Sequence, residues 1–255
     1  MLKRATAILS LMLALTISSS GQTRTTSLKP GSVEAKALAF FEQIEEQSFD
    51  DYLKRVRLPK VSEDHKSEVL ARIAKNEESG VTDGMKGKLS ALDPILRYHE
   101  RNSIIEVIVI RAREAFVRMQ GRAVLLISEP ALNLLSAPEL QAVVAHELGH
   151  EYFWVEFMEA RQKKNYELMR EIELRCDGIA VIALLRLKLV PAKLDSAVTR
   201  IRMFNARIAI IDPLYHPQPD GRSRFIHAMN ELAERRDANF ANVYWPPDAP
   251  SRPRN

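Results

Sequence analysis

The chain has 255 residues, of which 46% are hydrophobic and 27% charged, so it is long enough for one large globular domain or two small ones. Its net charge of +4 is small and its basic residues are mixed with acidic ones, so the charge balance does not indicate a partner such as nucleic acid. The single Cys excludes an intramolecular disulfide.

The first 21 residues resemble a secretory signal peptide. Lys3 and Arg4 precede a nearly uncharged apolar run at residues 5–17, and small residues follow up to Gly21. Because a membrane span needs about 20 apolar residues, we expect cleavage and export to the periplasm or the cell exterior, with no stable span in the mature protein. Retention as an N-terminal membrane anchor is the alternative. Residues 22–31 are predicted to form a linker.

Residues 32–102 are predicted to form a helical region that carries no recognisable chemistry. Apolar residues recur at helical spacing in residues 32–57, and Pro59 follows. Two further helices are predicted at residues 62–75 and 85–100, on either side of a polar loop.

Two strands are predicted next, at residues 104–110 and 123–128, joined through residues 119–121. A strand at the edge of a sheet can pair with an extended peptide, and we expect residues 123–128 to be such a strand, at the edge of a small sheet and just before the helix described below. The predicted fold class is therefore α+β, mainly helical, with a small sheet whose edge strand borders the candidate active site.

The H-E-x-x-H motif at residues 146–150 has the spacing of a metal site. His146 and His150 fall on one face of a helix, and Glu147 projects about 100° round it. Two imidazoles and a further carboxylate hold zinc with a position left for water, and a nearby carboxylate can take that water's proton. The alternative is a surface helix with two solvated His, although a chance match in this chain has odds on the order of 1%.

The residues before the motif predict the helix that it needs. Ser136 and Glu139 have the S-x-x-E form of a capping box, and Pro138 is tolerated in a first turn. Apolar residues then repeat at helical spacing, so we expect the helix to begin near Ala137.

The next predicted helix, residues 166–187, offers a third ligand. Glu173 and Asp177 lie on one face among apolar neighbours, where a carboxylate pair is costly unless a cation meets it. We expect Glu173 to bind the metal and Asp177 to accept the other N–H of a ligand His. Glu171 is the alternative ligand, and an exposed carboxylate pair is the alternative to a site. Cys176 is expected to be a small buried apolar residue and not a ligand.

A Pro-containing loop that leads into a helix begins at Tyr215. If this loop folds over the metal, His216 and Arg222 can reach an oxyanion or a substrate carbonyl. A loop with solvated polar groups is the alternative. Beyond Arg236 the sequence predicts an irregular tail, and we assign residues 240–255 to it.

Three ordered motifs resemble the gluzincin metallopeptidases of the HtpX and CAAX prenyl protease family. These are the H-E-x-x-H helix with its preceding residues 139–145, the E-x-x-x-D pair of Glu173 and Asp177, and H-P-x-x-x-x-R from His216 to Arg222. The resemblance covers approximately residues 104–232.

The resemblance implies a zincin-like domain, here residues 103–239, with one zinc ion bound by His146, His150 and Glu173. It further implies Glu147 as the general base, Asp177 as the carboxylate behind the ligands, and His216 and Arg222 near the oxyanion. Two positions depart from the family: Glu114 stands where Asn often precedes Ala-Phe, and Cys176 stands where Ala is usual.

The predicted function is that of a zinc-dependent metalloendopeptidase that hydrolyses peptide bonds in proteins. Its expected partner is a protein or peptide substrate, and the family analogy suggests quality control of envelope proteins. The alternative is a zinc-stabilised binding or chaperone module that does not catalyse a reaction.

Overall fold

A computed structural model of the chain describes residues 29–45, 48–73, 79–210 and 214–244. Within these residues the fold consists of ten helices and one three-stranded sheet, which confirms the mainly helical α+β class. The predicted signal peptide, most of the linker and the last residues of the predicted tail lie outside the described residues.

The N-terminal region contains more and shorter helices than the sequence predicts. They are α1 (Val33–Glu45), α2 (Phe49–Val56), α3 (Glu63–Ala71), α4 (Asp83–Ser90) and α5 (Asp93–Tyr98). The single helix expected at residues 32–57 is two helices, and Ser48 caps the second by accepting a hydrogen bond from the Asp51 N–H. The helix expected at residues 85–100 is also two, because Pro94 fits the first turn of α5 but cannot continue a preceding helix.

The order of the strands corrects the prediction about the edge strand. The sheet contains β1 (Glu106–Ile110), β2 (Val117–Gln120) and β3 (Val124–Ser128), in the order β1-β3-β2. β3 is therefore the central strand, parallel to β1 and antiparallel to β2. Its first four residues are apolar and all five are buried, as in a strand covered on both faces. The edge strand next to the site is β2, which the sequence suggested only as a connection.

The C-terminal half contains α6 (Glu129–Leu134), α7 (Ala137–Gln162), α8 (Tyr166–Arg186), α9 (Ala192–Arg207) and α10 (Pro219–Tyr244). α7 begins at the predicted residue and has the predicted capping box, in which the Glu139 carboxylate accepts a 2.8 Å bond from the Ser136 N–H. α10 continues to Tyr244, past the point where the sequence predicts an irregular tail. α9 has no counterpart among the predicted elements.

The candidate site lies where α7 and α8 pack together inside the main hydrophobic core. Leu140, Val144 and Leu148 of α7 are fully buried in this core, as are Ile172 and Ile179 of α8. Apolar burial on both helices therefore fixes the positions of the polar residues that lie between them.

Candidate metal centre

Three residues of the H-E-x-x-H motif form a group that could bind a metal ion. Atoms of His146, Glu147 and His150 suited to metal binding all lie within 4.8 Å of one another. The two His are buried, with 4% and 9% of their surfaces exposed, whereas Glu147 is half-buried. The expected helix thus places two imidazoles in the core and leaves the carboxylate between them accessible.

Glu173 of α8 lies against both imidazoles. One of its carboxylate oxygens is 3.3 Å from His146 Nε2 and the other is 3.5 Å from His150 Nε2. Burial alone would raise the pKa of Glu173, but the two His lower it more, so its pKa lies below the usual range and the carboxylate is charged. Glu171, the alternative ligand, is exposed to solvent. The structure therefore brings together the three residues that the sequence suggests as candidate ligands.

Asp177 and Arg222 hold His146 from its other side. Asp177 Oδ1 is 2.7 Å from His146 Nδ1, which is the contact expected of this carboxylate. Nε and Nη2 of Arg222 donate to the two Asp177 oxygens at 2.8 and 2.7 Å. Burial lowers the pKa of His146, but Asp177 raises it more, to about 9. The contact of Nδ1 with Asp177 orients the His146 ring so that its Nε2 lies towards Glu173.

Cys176 occupies the corresponding place beside His150. Its Sγ lies 3.5 Å from His150 Nδ1, and the residue is fully buried, as expected. Burial and the carboxylate of Glu173 raise the pKa of the Cys176 thiol well above its usual value. The thiol is therefore neutral and lacks the thiolate character of a metal ligand. The sequence did not suggest its contact with His150.

The backbone of β2 contacts the carboxylate of the motif. The Met119 N–H donates a 2.9 Å hydrogen bond to Glu147 Oε2. The alternation of buried Val117 and Met119 with the more exposed Arg118 and Gln120 could have identified this strand. Among the described residues β2 pairs with β3 alone, so Glu147 lies between the imidazoles and an unpaired edge of the sheet.

A series of aromatic contacts connects His216 with the site. The His216 ring lies 4.8 Å from that of Tyr215, Tyr215 lies 6.1 Å from Phe157, and Phe157 lies 5.3 Å from His150. The loop before α10 thus reaches the candidate site through Tyr215 and Phe157. Arg222 contacts Asp177 and His146, and its expected contact with an oxyanion stays a prediction, as does that of His216.

Glu151 forms a buried charged cluster directly after the motif. Its carboxylate accepts hydrogen bonds from Arg101 Nε at 3.1 Å and from Arg122 Nε and Nη2 at 3.0 Å each. Arg122 lies in the turn between β2 and β3 and also donates to the Pro59 carbonyl. The cluster therefore attaches the end of the edge strand to α7. No spacing pattern in the sequence indicates it, because its members come from distant segments.

Comparison with known protein families and with curated proteins gives no match for this chain. Within the part of the chain that the structure describes, no helix has the length and apolar character needed to cross a membrane.

Proposed function

We propose that the protein is a zinc-dependent metalloendopeptidase. The main support is that the Glu173 carboxylate lies 3.3 and 3.5 Å from the imidazoles of His146 and His150, with Glu147 beside them at the edge of the sheet. A metal-binding group alone would fit many roles. The combination with an accessible carboxylate and a strand edge suits peptide hydrolysis.

The donor set fits zinc better than a hard cation. Two imidazoles and one carboxylate form a common set of protein ligands for catalytic zinc, whereas calcium and magnesium are bound through oxygen. Both His present Nε2 towards Glu173, and Asp177 and Cys176 lie at the opposite Nδ1 atoms. Such outer contacts orient ligand imidazoles. The proposed cofactor is accordingly one zinc ion per chain.

The proposed mechanism assigns proton transfer to Glu147. When bound, zinc polarises the peptide carbonyl and lowers the pKa of the attacking water. Glu147 takes a proton from that water as it attacks and passes a proton to the nitrogen of the leaving amine. The hydrogen bond from Met119 orients the carboxylate before substrate arrives.

Other residues of the site bind substrate or hold ligands in the proposed mechanism. An extended segment of the substrate pairs with the free edge of β2, which brings its backbone to the metal centre. His216 is proposed to stabilise the oxyanion from the loop before α10. Arg222 is proposed to act through Asp177, which it holds against His146.

Membership of the gluzincin family and action outside the cytoplasm belong to the same proposal. They rest on the three sequence motifs and on the likeness of residues 1–21 to a signal peptide. Under this proposal the substrates are unfolded segments of exported proteins.

The decisive experiment compares cleavage of unfolded β-casein by the zinc-loaded protein and by its Glu147→Gln variant. We expect the parent protein to cut casein, and the variant to bind zinc with similar affinity but to cut at least about a thousandfold more slowly, because it lacks the proton acceptor. Glu156→Gln, on the same helix, is the control and should retain activity.

Two outcomes would contradict the proposal. Full activity in the Glu147 variant would remove the mechanism. Absence of cleavage by the parent protein, together with a melting temperature that rises on zinc addition, would instead support the zinc-stabilised binding or chaperone module.

A further inference from the structure

The free edge of β2 presents backbone groups at every second residue. The Ser128 N–H donates to the Phe116 carbonyl, and in the register Val117 lies opposite Ile127 and Met119 opposite Leu125. Phe116 and Ser128 therefore form a hydrogen-bonded pair. Because such pairs alternate with non-hydrogen-bonded pairs in an antiparallel ladder, Val117 and Met119 belong to non-hydrogen-bonded pairs, and their N–H and C=O groups face away from β3. The bond from the Met119 N–H to Glu147 agrees with this alternation.

At the start of this segment, a side chain binds the backbone as a neighbouring strand would. Asn205 Oδ1 accepts a 2.8 Å hydrogen bond from the Ala115 N–H, and Asn205 Nδ2 donates a 2.9 Å bond to the Ala115 carbonyl. Ala115 has the same alternation as Val117 and Met119, and it is fully buried. The side-chain amide of Asn205 therefore uses the two groups that a docked peptide would use at this position.

We propose that Asn205 determines how far an extended substrate can pair along β2. This inference rests on the proposed peptidase function. Substrate residues near the reacting bond pair with Met119 and Val117, and pairing stops at Ala115 because α9 already holds that residue. Asn205 is thus a specificity-determining residue that limits the number of substrate residues recognised on one side of the bond that is cut.

The dimensions of a strand give the length of the available edge. Two residues along a strand span roughly 6.5 Å, so Val117 lies roughly 6.5 Å and Ala115 roughly 13 Å from Met119. Met119 marks the reacting centre because it contacts Glu147. The open edge on this side therefore serves about three substrate residues, and a longer substrate must leave the strand at Asn205.

Contacts at both ends of α9 keep Asn205 in place. Towards its N-terminal end, Ser196 and Arg200 donate to the Glu139 carboxylate at 2.6 and 2.9 Å. After its C-terminal end, the Ile208 carbonyl accepts a 3.3 Å bond from Arg113, which lies just before Ala115. These contacts keep the Asn205 amide oriented in the position of a bound peptide group.

The test measures binding of peptides of increasing length by zinc-loaded full-length protein carrying Glu147→Gln, so that cleavage does not interfere. The probes are fluorescent peptides taken from unfolded β-casein, each extended one residue at a time at either end. For the Glu147→Gln protein we expect the affinity to rise with peptide length. When the peptide is extended at one of its two ends, the affinity should level off within about three residues. With Asn205→Ala added, two further residues at that end should improve affinity about tenfold, as expected for two hydrogen bonds of ordinary net strength.

Two further variants control for indirect effects. Met203→Ala changes a residue of α9 that is 55% exposed and should leave the length dependence unchanged. Asn205→Asp keeps the acceptor for the Ala115 N–H but loses the donor to its carbonyl, so it should release the limit at least in part. Thermal melts identify any variant that fails to fold.

The outcomes separate this inference from the proposed function. If affinity levels off at the same length with and without Asn205, or if no casein peptide binds, the inference is wrong. If the limit moves as expected but the parent protein cuts no casein, Asn205 has the proposed role and the peptidase proposal fails. If casein is cut and the limit does not move, the peptidase proposal stands without this role for Asn205.

Discussion

Gly149 of α7 lies directly against the backbone of Cys176 on α8. A Cβ atom at position 149 would be 2.9 Å from Cys176 Cα and 3.1 Å from its carbonyl oxygen, closer than such atoms normally approach. The absence of a side chain therefore lets the two helices meet between the His pair and the Glu173–Asp177 pair. The candidate ligands on α7 and α8 lie close to one another because of this contact.

The first prediction is that Gly149→Ala destabilises the protein and weakens zinc binding. The new methyl group must push α8 away, at a cost of about 1–3 kcal/mol for overpacking, and this separates Glu173 from the imidazoles. Gly87→Ala is the matched control, because nothing lies within 4 Å of a Cβ there and Ala favours the helix by about 0.5–1 kcal/mol. Urea unfolding and zinc titration measure both effects. Equal stability of the two variants would contradict the close contact.

The second prediction concerns the positioning role of Arg222. Arg222→Lys removes the two-bond contact with Asp177 but keeps the positive charge, so we expect zinc affinity to fall about 10- to 100-fold. Competition with a chelator measures the affinity. Arg224→Lys, two residues further along α10, changes a side chain that is 59% exposed and should leave the affinity unchanged. Unchanged zinc affinity in the Arg222 variant would show that Asp177 does not need this partner.

The third prediction concerns the cluster around Glu151. Glu151→Ala leaves the guanidinium groups of Arg101 and Arg122 without their carboxylate, and Arg101 is only 2% exposed. We expect a loss of about 3–5 kcal/mol in the free energy of unfolding. Glu68→Ala breaks an exposed pair with Arg72 and should cost less than about 1 kcal/mol. Similar urea midpoints for the two variants would mean that the buried cluster adds little.

The fourth prediction is a pH dependence of stability due to His99. This residue is fully buried and hydrogen-bonded to the Tyr152 hydroxyl at 2.7 Å. Burial, with Arg57 and Arg101 nearby, lowers its pKa from 6.5 to about 3. The unfolded chain therefore binds a proton on His99 between pH 6.5 and 3 that the folded protein does not bind, and stability falls as the pH falls through this range.

The measurement is the free energy of unfolding of the parent protein and of His99→Gln between pH 7 and 4. Since the variant cannot bind this proton, its free energy of unfolding should fall less steeply as the pH falls. The difference between the two slopes should be up to about 1.4 kcal/mol per pH unit. His227→Gln, which changes an exposed His of α10, should follow the parent protein. Parallel curves for the parent and His99→Gln would exclude His99 as the cause.

Local patterns in the sequence predicted the helices that carry the candidate ligands. The capping box, the helical repeat of apolar residues, the spacing of His146 and His150, and the spacing of Glu173 and Asp177 are all properties of residues close in sequence. They predict the positions of α7 and α8 along the chain well, because the contacts within a helix join residues that are close in sequence.

The sheet order and several contacts of the site could not be predicted in this way. β3 is central because β1 pairs with it in parallel, and this pairing depends on contacts between distant segments. A single Asn on α9, or a Glu after the motif, has no pattern that shows which partner it will meet. Asn205 and Glu151 therefore become visible only in the folded chain.

The free edge of β2 also bears on solubility. An edge strand with unpaired backbone groups can join the edge of another copy and start aggregation. Asn205 occupies both backbone groups of Ala115, and Glu147 accepts the Met119 N–H, so among the described residues the Met119 carbonyl and the backbone groups of Val117 are left for pairing. Few backbone groups of β2 are then left for a second sheet, so the same side chains that border the candidate site limit pairing between this edge and another copy of the chain.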